Sequence, residues 1–175
     1  MTERALEGVK VLDLTHHISG PYCTKLLADF GAEVVKVERP CGDPARRMAP
    51  FLNDEADPEK SLVFAYLNTN KQSVTLNLKS EKGIQVLKSL ITESDVLVEN
   101  FSPRVMASLG LDFEALQQLN PALVMTSISN FGQTGPYRDY KAADIIEYAM
   151  GGLMYISGAY DREPLKHAFN QAQFK

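Results

Sequence analysis

The sequence lacks most of the features that would assign it to a function class at once. It has two cysteines, Cys23 and Cys41, and they are not spaced as a metal-binding pair. Residues 1–8 hold no apolar leader, so the two thiols read as reduced cysteines of a cytoplasmic protein. There is no basic excess: the net charge is −4 and the pI about 5.4. That balance argues against a nucleic-acid or membrane-surface binder. No apolar run approaches the roughly 18–20 residues of a membrane span. The loop after the first predicted strand, THHISGP, holds one glycine, so the G-x-G-x-x-G fingerprint of NAD binding is missing. The segment from Gly132 to Gly135 has neither the spacing nor the Lys-Ser/Thr pair of a phosphate loop. His16 and His17 are adjacent and point to opposite sides of an extended chain. No Cys or carboxylate cluster beside them completes a metal set, and no metal is expected.

What is present is an ordinary globular composition, 45% hydrophobic and 23% charged over 175 residues. That length suffices for one domain with a real core. Residues 9–14 (VKVLDL) form a short apolar run, as in a strand buried on both faces. Pro21 suits a first helical turn, and Gly31 suits the position past the helix end. EVVKVE, residues 33–38, gives the next strand. Strand, helix, strand in this order is a βαβ unit with parallel strands and a right-handed crossover.

Residues 39–61 hold four prolines and many polar groups and read as a long, functional or partly mobile loop. Residues 62–67 are a short element. SVTLNL (73–78) alternates like a strand. Ser80 caps a helix with Ile84, Leu87, Leu90 and Ile91 on one face. Residues 95–98 are a third buried strand. Two short helices follow, the second capped by Asp112, then a strand at 123–129, a glycine-containing loop and a helix expected over 142–156. The alternation predicts an α/β fold, a Rossmann-like open parallel sheet with helices on both faces. Ligands of such sheets bind outside the carboxyl ends of the strands. Three strand-end clusters then fall on one rim: residues 15–19, Arg39, and residues 100–102.

The stretches LEGVKVLDLTHHISGPYCTKLLADFGAEVVKVERP, NTNKQSVTLNLKS, DVLVENFSP and FGQTGP together resemble the class III CoA-transferase family. Relatives of that kind include formyl-CoA transferase, crotonobetainyl-CoA transferase and alpha-methylacyl-CoA racemase. The resemblance implies that residues 1–175 are the N-terminal part of a large domain, without the small domain and the C-terminal return segment. It implies coenzyme A or acyl-CoA as substrate, a small carboxylic acid as second partner, and an interlocked homodimer or a pairing with a homologue. By resemblance, Ile18 and Ser19 lie beside the thioester. Arg39 meets the nucleotide end, with Leu76 and Lys79 nearby. Asn100, Phe101 and Ser102 line the path, and Lys141 and Asp144 complete it.

The family's transferases use an aspartate whose carboxylate attacks the acyl-CoA carbonyl, giving a mixed anhydride and then an aspartyl thioester. Here the matching segment runs from Pro164-Leu165 to Gln173-Phe174, and the nucleophile position holds Gln173. A neutral amide cannot form the anhydride, although it can hydrogen-bond a thioester. The racemase branch has a His-Asp pair where this chain has Ala143-Asp144. The segment ENFSPR also differs, placing its cation, Arg104, two positions later than the family pattern. The sequence therefore leads to two expectations: a CoA-transferase-family enzyme, or a non-catalytic CoA-binding or scaffolding homologue.

Overall fold

A computed structural model describes residues 4–174, leaving Met1–Glu3 and Lys175 outside. Five strands form one parallel sheet: β1 (Lys10–Asp13), β2 (Glu33–Glu38), β3 (Lys71–Thr75), β4 (Val96–Glu99) and β5 (Val124–Ser127). Their order across the sheet is β3-β2-β1-β4-β5. The chain grows outward from β1 to β3, then returns to start β4 on the other side of β1. The order therefore reverses between β1 and β4, the switch point where open α/β sheets bind ligands.

The helices are α1 (Ser19–Asp29), α2 (Leu62–Leu67), α3 (Glu81–Thr92), α4 (Val105–Ser108), α5 (Phe113–Leu119) and α6 (Asp144–Met150). Side-chain oxygens cap several of them, as the sequence predicts. Ser80 accepts from the Gly83 N–H, and Asp112 from the Ala115 N–H. None of the helices is long and apolar enough to cross a membrane, among the described residues.

Strand alternation divides the core in two. Leu12, Leu14, Val37 and Leu97 pack with Leu87 and Ile91 of α3 and Leu116 of α5. Val11, Val34 and Val98 face the other way and pack with Ala28 of α1. This second face changes character toward the carboxyl ends of its strands. Asp13 follows Val11 by two residues, and Lys36 and Glu38 follow Val34 by two and four. All three are buried. Asp13 accepts from both the backbone and the hydroxyl of Thr15, from the Thr24 hydroxyl of α1, and from Lys71 at 3.0 Å. Glu38 receives Arg46 through two nitrogens, each at 2.8 Å, and the Ser73 hydroxyl at 2.6 Å. Lys36 pairs with Asp43 at 2.9 Å.

Three expectations need correction or refinement. The strand expected at 73–78 is β3 at Lys71–Thr75, because Asn77 and Ser80 turn the chain off the sheet. The Asn77 carbonyl accepts from Ser80, and it lies 2.1 Å from where a Cβ on Gly83 would sit. The helix expected over 142–156 ends at Met150, where Gly151-Gly152 breaks it and Gly152 adopts φ +78°. Residues 39–61 are closely tied down. They hold turns of 3-10 helix at Pro44–Arg47 and Leu52–Asp54. The Ser61 hydroxyl reaches the carbonyls of Ala45 and Met48 at 2.8 and 2.7 Å, and Arg46 lies 3.7 Å over the Phe64 ring.

The chain divides into two compact units, Met1–Ser129 and Asn130–Lys175. In the second, the buried Asp144 carboxylate accepts from Lys166 and from the Ala172 N–H, each at 2.9 Å. Tyr148, fully buried, meets His167 Nδ1 at 2.6 Å. These bonds hold the final 3-10 turn, Gln171–Phe174, against α6.

Burial alone would raise the Glu38 pKa. Arg46, Ser73 and the Asp43 N–H outweigh it and hold the carboxyl at about 2, against an ordinary 4.5. A depressed folded-state pKa stabilises the fold above the unfolded value and is lost as pH falls through the folded one. Glu38→Gln is therefore expected to lower Tm at pH 7 and to remove part of the stability loss between pH 5 and pH 2. The effect amounts to no more than about 3 kcal/mol, and thermal melts across that range check it.

Candidate active site

A cavity of about 550 Å³ opens at the carboxyl ends of β1, β2, β3 and β4, wholly within the first unit. Its floor is apolar: Leu14 and Val37 from the sheet, Leu76 and Leu78 from the turn after β3, Phe101 after β4, and Val105 and Leu109 around α4. Its rim is polar, with His16, Arg39, Cys41, Asn77 and Lys79. Arg39 and Lys79 are exposed, and among the described residues their side chains make no hydrogen bond or ion pair. Glu38 also borders the cavity, but its carboxylate is occupied by Arg46 and Ser73. The available charge at this rim is therefore positive over an apolar floor. Such a surface suits a ligand with anionic groups and an apolar body.

The loops that build the rim are held by side chains from neighbouring strands. Asn100 clamps the β1–α1 loop. Its Oδ1 accepts from the His16 N–H at 2.9 Å and its Nδ2 donates to the His16 carbonyl at 2.7 Å. His16 also stacks obliquely on Phe101 and on His17. Burial, and then the neighbouring His17, lower the His16 pKa to about 4, so the ring is neutral near pH 7. Gly20 lets α1 press against this loop, since a Cβ there would lie 2.3 Å from the Thr15 Cβ. Glu99 accepts from the Phe101 N–H at 2.8 Å, and burial raises its pKa.

Of the residues singled out from sequence, Arg39, Leu76, Lys79 and Phe101 line this one cavity. Asn100 shapes it through His16. Ile18 is buried at the start of α1, and Ser19 is the first residue of that helix. Ser102 is exposed, and its carbonyl accepts from the Val105 N–H that opens α4. Lys141, Asp144 and Gln173 belong to the second unit. There Lys141 is exposed, Asp144 is anchored as described, and Gln173 sits partly exposed in the 3-10 turn. Both cysteines are free thiols, Cys23 half-buried and Cys41 at the cavity rim. Sequence reasoning missed Lys36 and Asp43, which support the rim from beneath. The signal for Lys36 was its place within a strand read as buried.

Residues 6–174 match the profile of CoA-transferase family III. The chain belongs to that family. It is 48% identical over 165 residues to formyl-CoA:oxalate CoA-transferase of Streptomyces coelicolor, covering 94% of this chain and 39% of the relative. It is 41% identical to succinyl-CoA:glutarate CoA-transferase of Mus musculus, covering 93% and 37%. Among solved structures, a CaiB/BaiF family protein from Brucella suis superposes with a TM-score of 0.90 at 36% identity. That match covers 99% of this chain and 46% of the other. A hypothetical protein from Mycobacterium tuberculosis gives 0.87 at 31% identity, covering 98% and 46%. This family III chain thus spans about two fifths of the length of the curated relatives it matches.

Asn100→Ala removes both bonds that hold His16. It is expected to destabilise the first unit by about 1–3 kcal/mol and to speed exchange of the His16 amide at least about tenfold. Hydrogen exchange of that amide, compared with amides in α3, is the check.

Proposed function

We propose that this chain binds an acyl-CoA thioester in the cleft at the carboxyl ends of β1 to β4. The observation that carries the reading is the pair of unpartnered cations, Arg39 and Lys79, above an apolar cavity at the switch point of the sheet. The cations suit the phosphates of coenzyme A, and the apolar floor suits its adenine and pantetheine. Asn100, Phe101 and Ser102 continue the path, and Ile18 and Ser19 mark the thioester end. By the family resemblance, Lys141 and Asp144 contribute to coenzyme A binding in the whole protein. The names of the relatives, all transferases that exchange CoA between acids, favour the same ligand class.

In the whole protein the corresponding activity is transfer of CoA between carboxylic acids through an aspartyl intermediate. Position 173 bears on that step. A glutamine has no carboxylate to attack the thioester carbonyl, so the chain as it stands fits a CoA-binding role better than the full transfer. The working assembly is an interlocked homodimer, or a pairing with a homologue, in the cytoplasm. Support for a covered surface comes from Tyr155, Ile156, Tyr160 and Phe169, all more than three quarters exposed.

Isothermal titration with CoA tests the binding site. Arg39→Ala and Lys79→Ala should each weaken binding about tenfold and reduce its dependence on salt. Absence of measurable CoA binding by the unsubstituted chain would sink the reading.

Position 173 is tested separately, by mass spectrometry after incubation with acyl-CoA. The unsubstituted chain should show no adduct on the 164–174 peptide. Gln173→Asp, in a full-length chain, should gain one that hydroxylamine removes. An adduct at Gln173 itself would overturn the non-catalytic reading.

A further inference from the structure

Lys36 sits in the middle of β2 with a side chain only 1% exposed. Its Nζ donates to the Thr15 carbonyl at 2.7 Å and lies 2.9 Å from Asp43 Oδ2. That carboxylate oxygen has no aligned hydrogen bond, so the ammonium holds it by charge. The other oxygen, Oδ1, accepts from the His17 N–H at 3.1 Å and from the Ala45 N–H at 2.8 Å. Thr15 and His17 belong to the loop after β1, and Asp43 and Ala45 to the loop after β2. These loops form two walls of the cavity, which Thr15 and His16 border on one side and Arg39, Gly42 and Asp43 on the other.

We propose that Lys36 and Asp43 are a positioning pair that fixes the gap between the two loops, and through it the affinity of the cleft for a CoA thioester. The proposal rests on the acyl-CoA reading. Neither side chain needs to touch the nucleotide for this role. Lys36 anchors one wall at the Thr15 carbonyl, while Asp43 joins both walls through His17 and Ala45. A purely structural role makes a different prediction. If the pair only neutralised two buried charges, removing both charges together would restore stability and affinity alike.

The test is isothermal titration of CoA into the 175-residue chain carrying Lys36→Met, Asp43→Asn or both, with a thermal melt of each. Ile91→Ala serves as control, because Ile91 is fully buried near the end of α3 that leads to the start of β4 and does not line the cavity. The single variants should raise the CoA Kd at least about tenfold. The double variant should recover much of the lost Tm, since no lone charge remains buried, yet keep a Kd at least about fivefold weakened. Ile91→Ala should lower Tm and bind within about twofold of the unsubstituted chain.

Recovery of affinity along with Tm in the double variant would overturn the positioning role. So would equal weakening by Ile91→Ala. If a single variant does not fold, the double variant and the control decide between the same outcomes. Failure of the unsubstituted chain to bind CoA is a separate result, which overturns the acyl-CoA reading and the proposal built on it.

Discussion

A buried ammonium group must find acceptors, and the upper half of this sheet is arranged around that demand. Lys36 is enclosed on β2, where a charge left unpaired would cost several kcal/mol. Its two partners come from different loops, the Thr15 carbonyl after β1 and Asp43 after β2. Satisfying one side chain therefore fixes the separation of two chain segments that are 28 residues apart in sequence, from 15 to 43. The cleft lies between those segments. Its shape follows from an electrostatic requirement inside the sheet as well as from the loops themselves.

The same logic extends across that face. Asp13 meets Lys71, Lys36 meets Asp43, and Glu38 meets Arg46, which also reaches the exposed Glu59, so the buried part of the network holds three cations and three anions. Balanced pairs with further hydrogen bonds are the condition under which buried charge is tolerated. Lys71 shows the strain of the arrangement: burial, set against Asp13 and reinforced by Lys36, lowers its pKa to about 8. Among the described residues, the opposite face of the sheet carries no such network and packs Leu12, Leu14 and Val37 against aliphatic side chains of α3 and α5. One face supplies an ordinary core, and the other links the strand ends to their loops. This division explains why the apolar cluster beside α1 is the smaller of the two.

Much of this architecture was legible in the sequence, and the failures have physical causes. The βαβ unit, the parallel sheet and the rim at Arg39 and Asn100 could be read from apolar runs, the helix punctuation of Pro21 and Gly31, and strand-end chemistry. The position of β3 could not, because SVTLNL alternates convincingly while the turn that ends the strand depends on a close contact between Gly83 and the Asn77 carbonyl. Sequence pattern alone carries α6 past Met150, since the helix end depends on the left-handed backbone at Gly152. The role of Lys36 was hidden by its context. In EVVKVE it shares a face with Val34 and Glu38, but its acceptors lie on segments that only the folded chain brings near. Pairwise charge partners far apart in sequence leave no periodic trace.

The second unit separates two questions that a family assignment tends to merge. Asp144, to which the family resemblance gives a ligand-side role, spends its carboxylate on Lys166 and on the N–H of Ala172. That second bond fixes the backbone immediately before Gln173. Under the proposed reading, the turn that would present a nucleophile is built and anchored whatever side chain position 173 carries. Glutamine in place of the family's aspartate removes a negative charge and a nucleophilic oxygen and adds one methylene to the side chain. The scaffold for binding and the group for chemistry are then independent features of the chain. Loss of the second does not entail loss of the first, because the bonds that hold the turn run through Asp144 and the backbone, not through the side chain of Gln173.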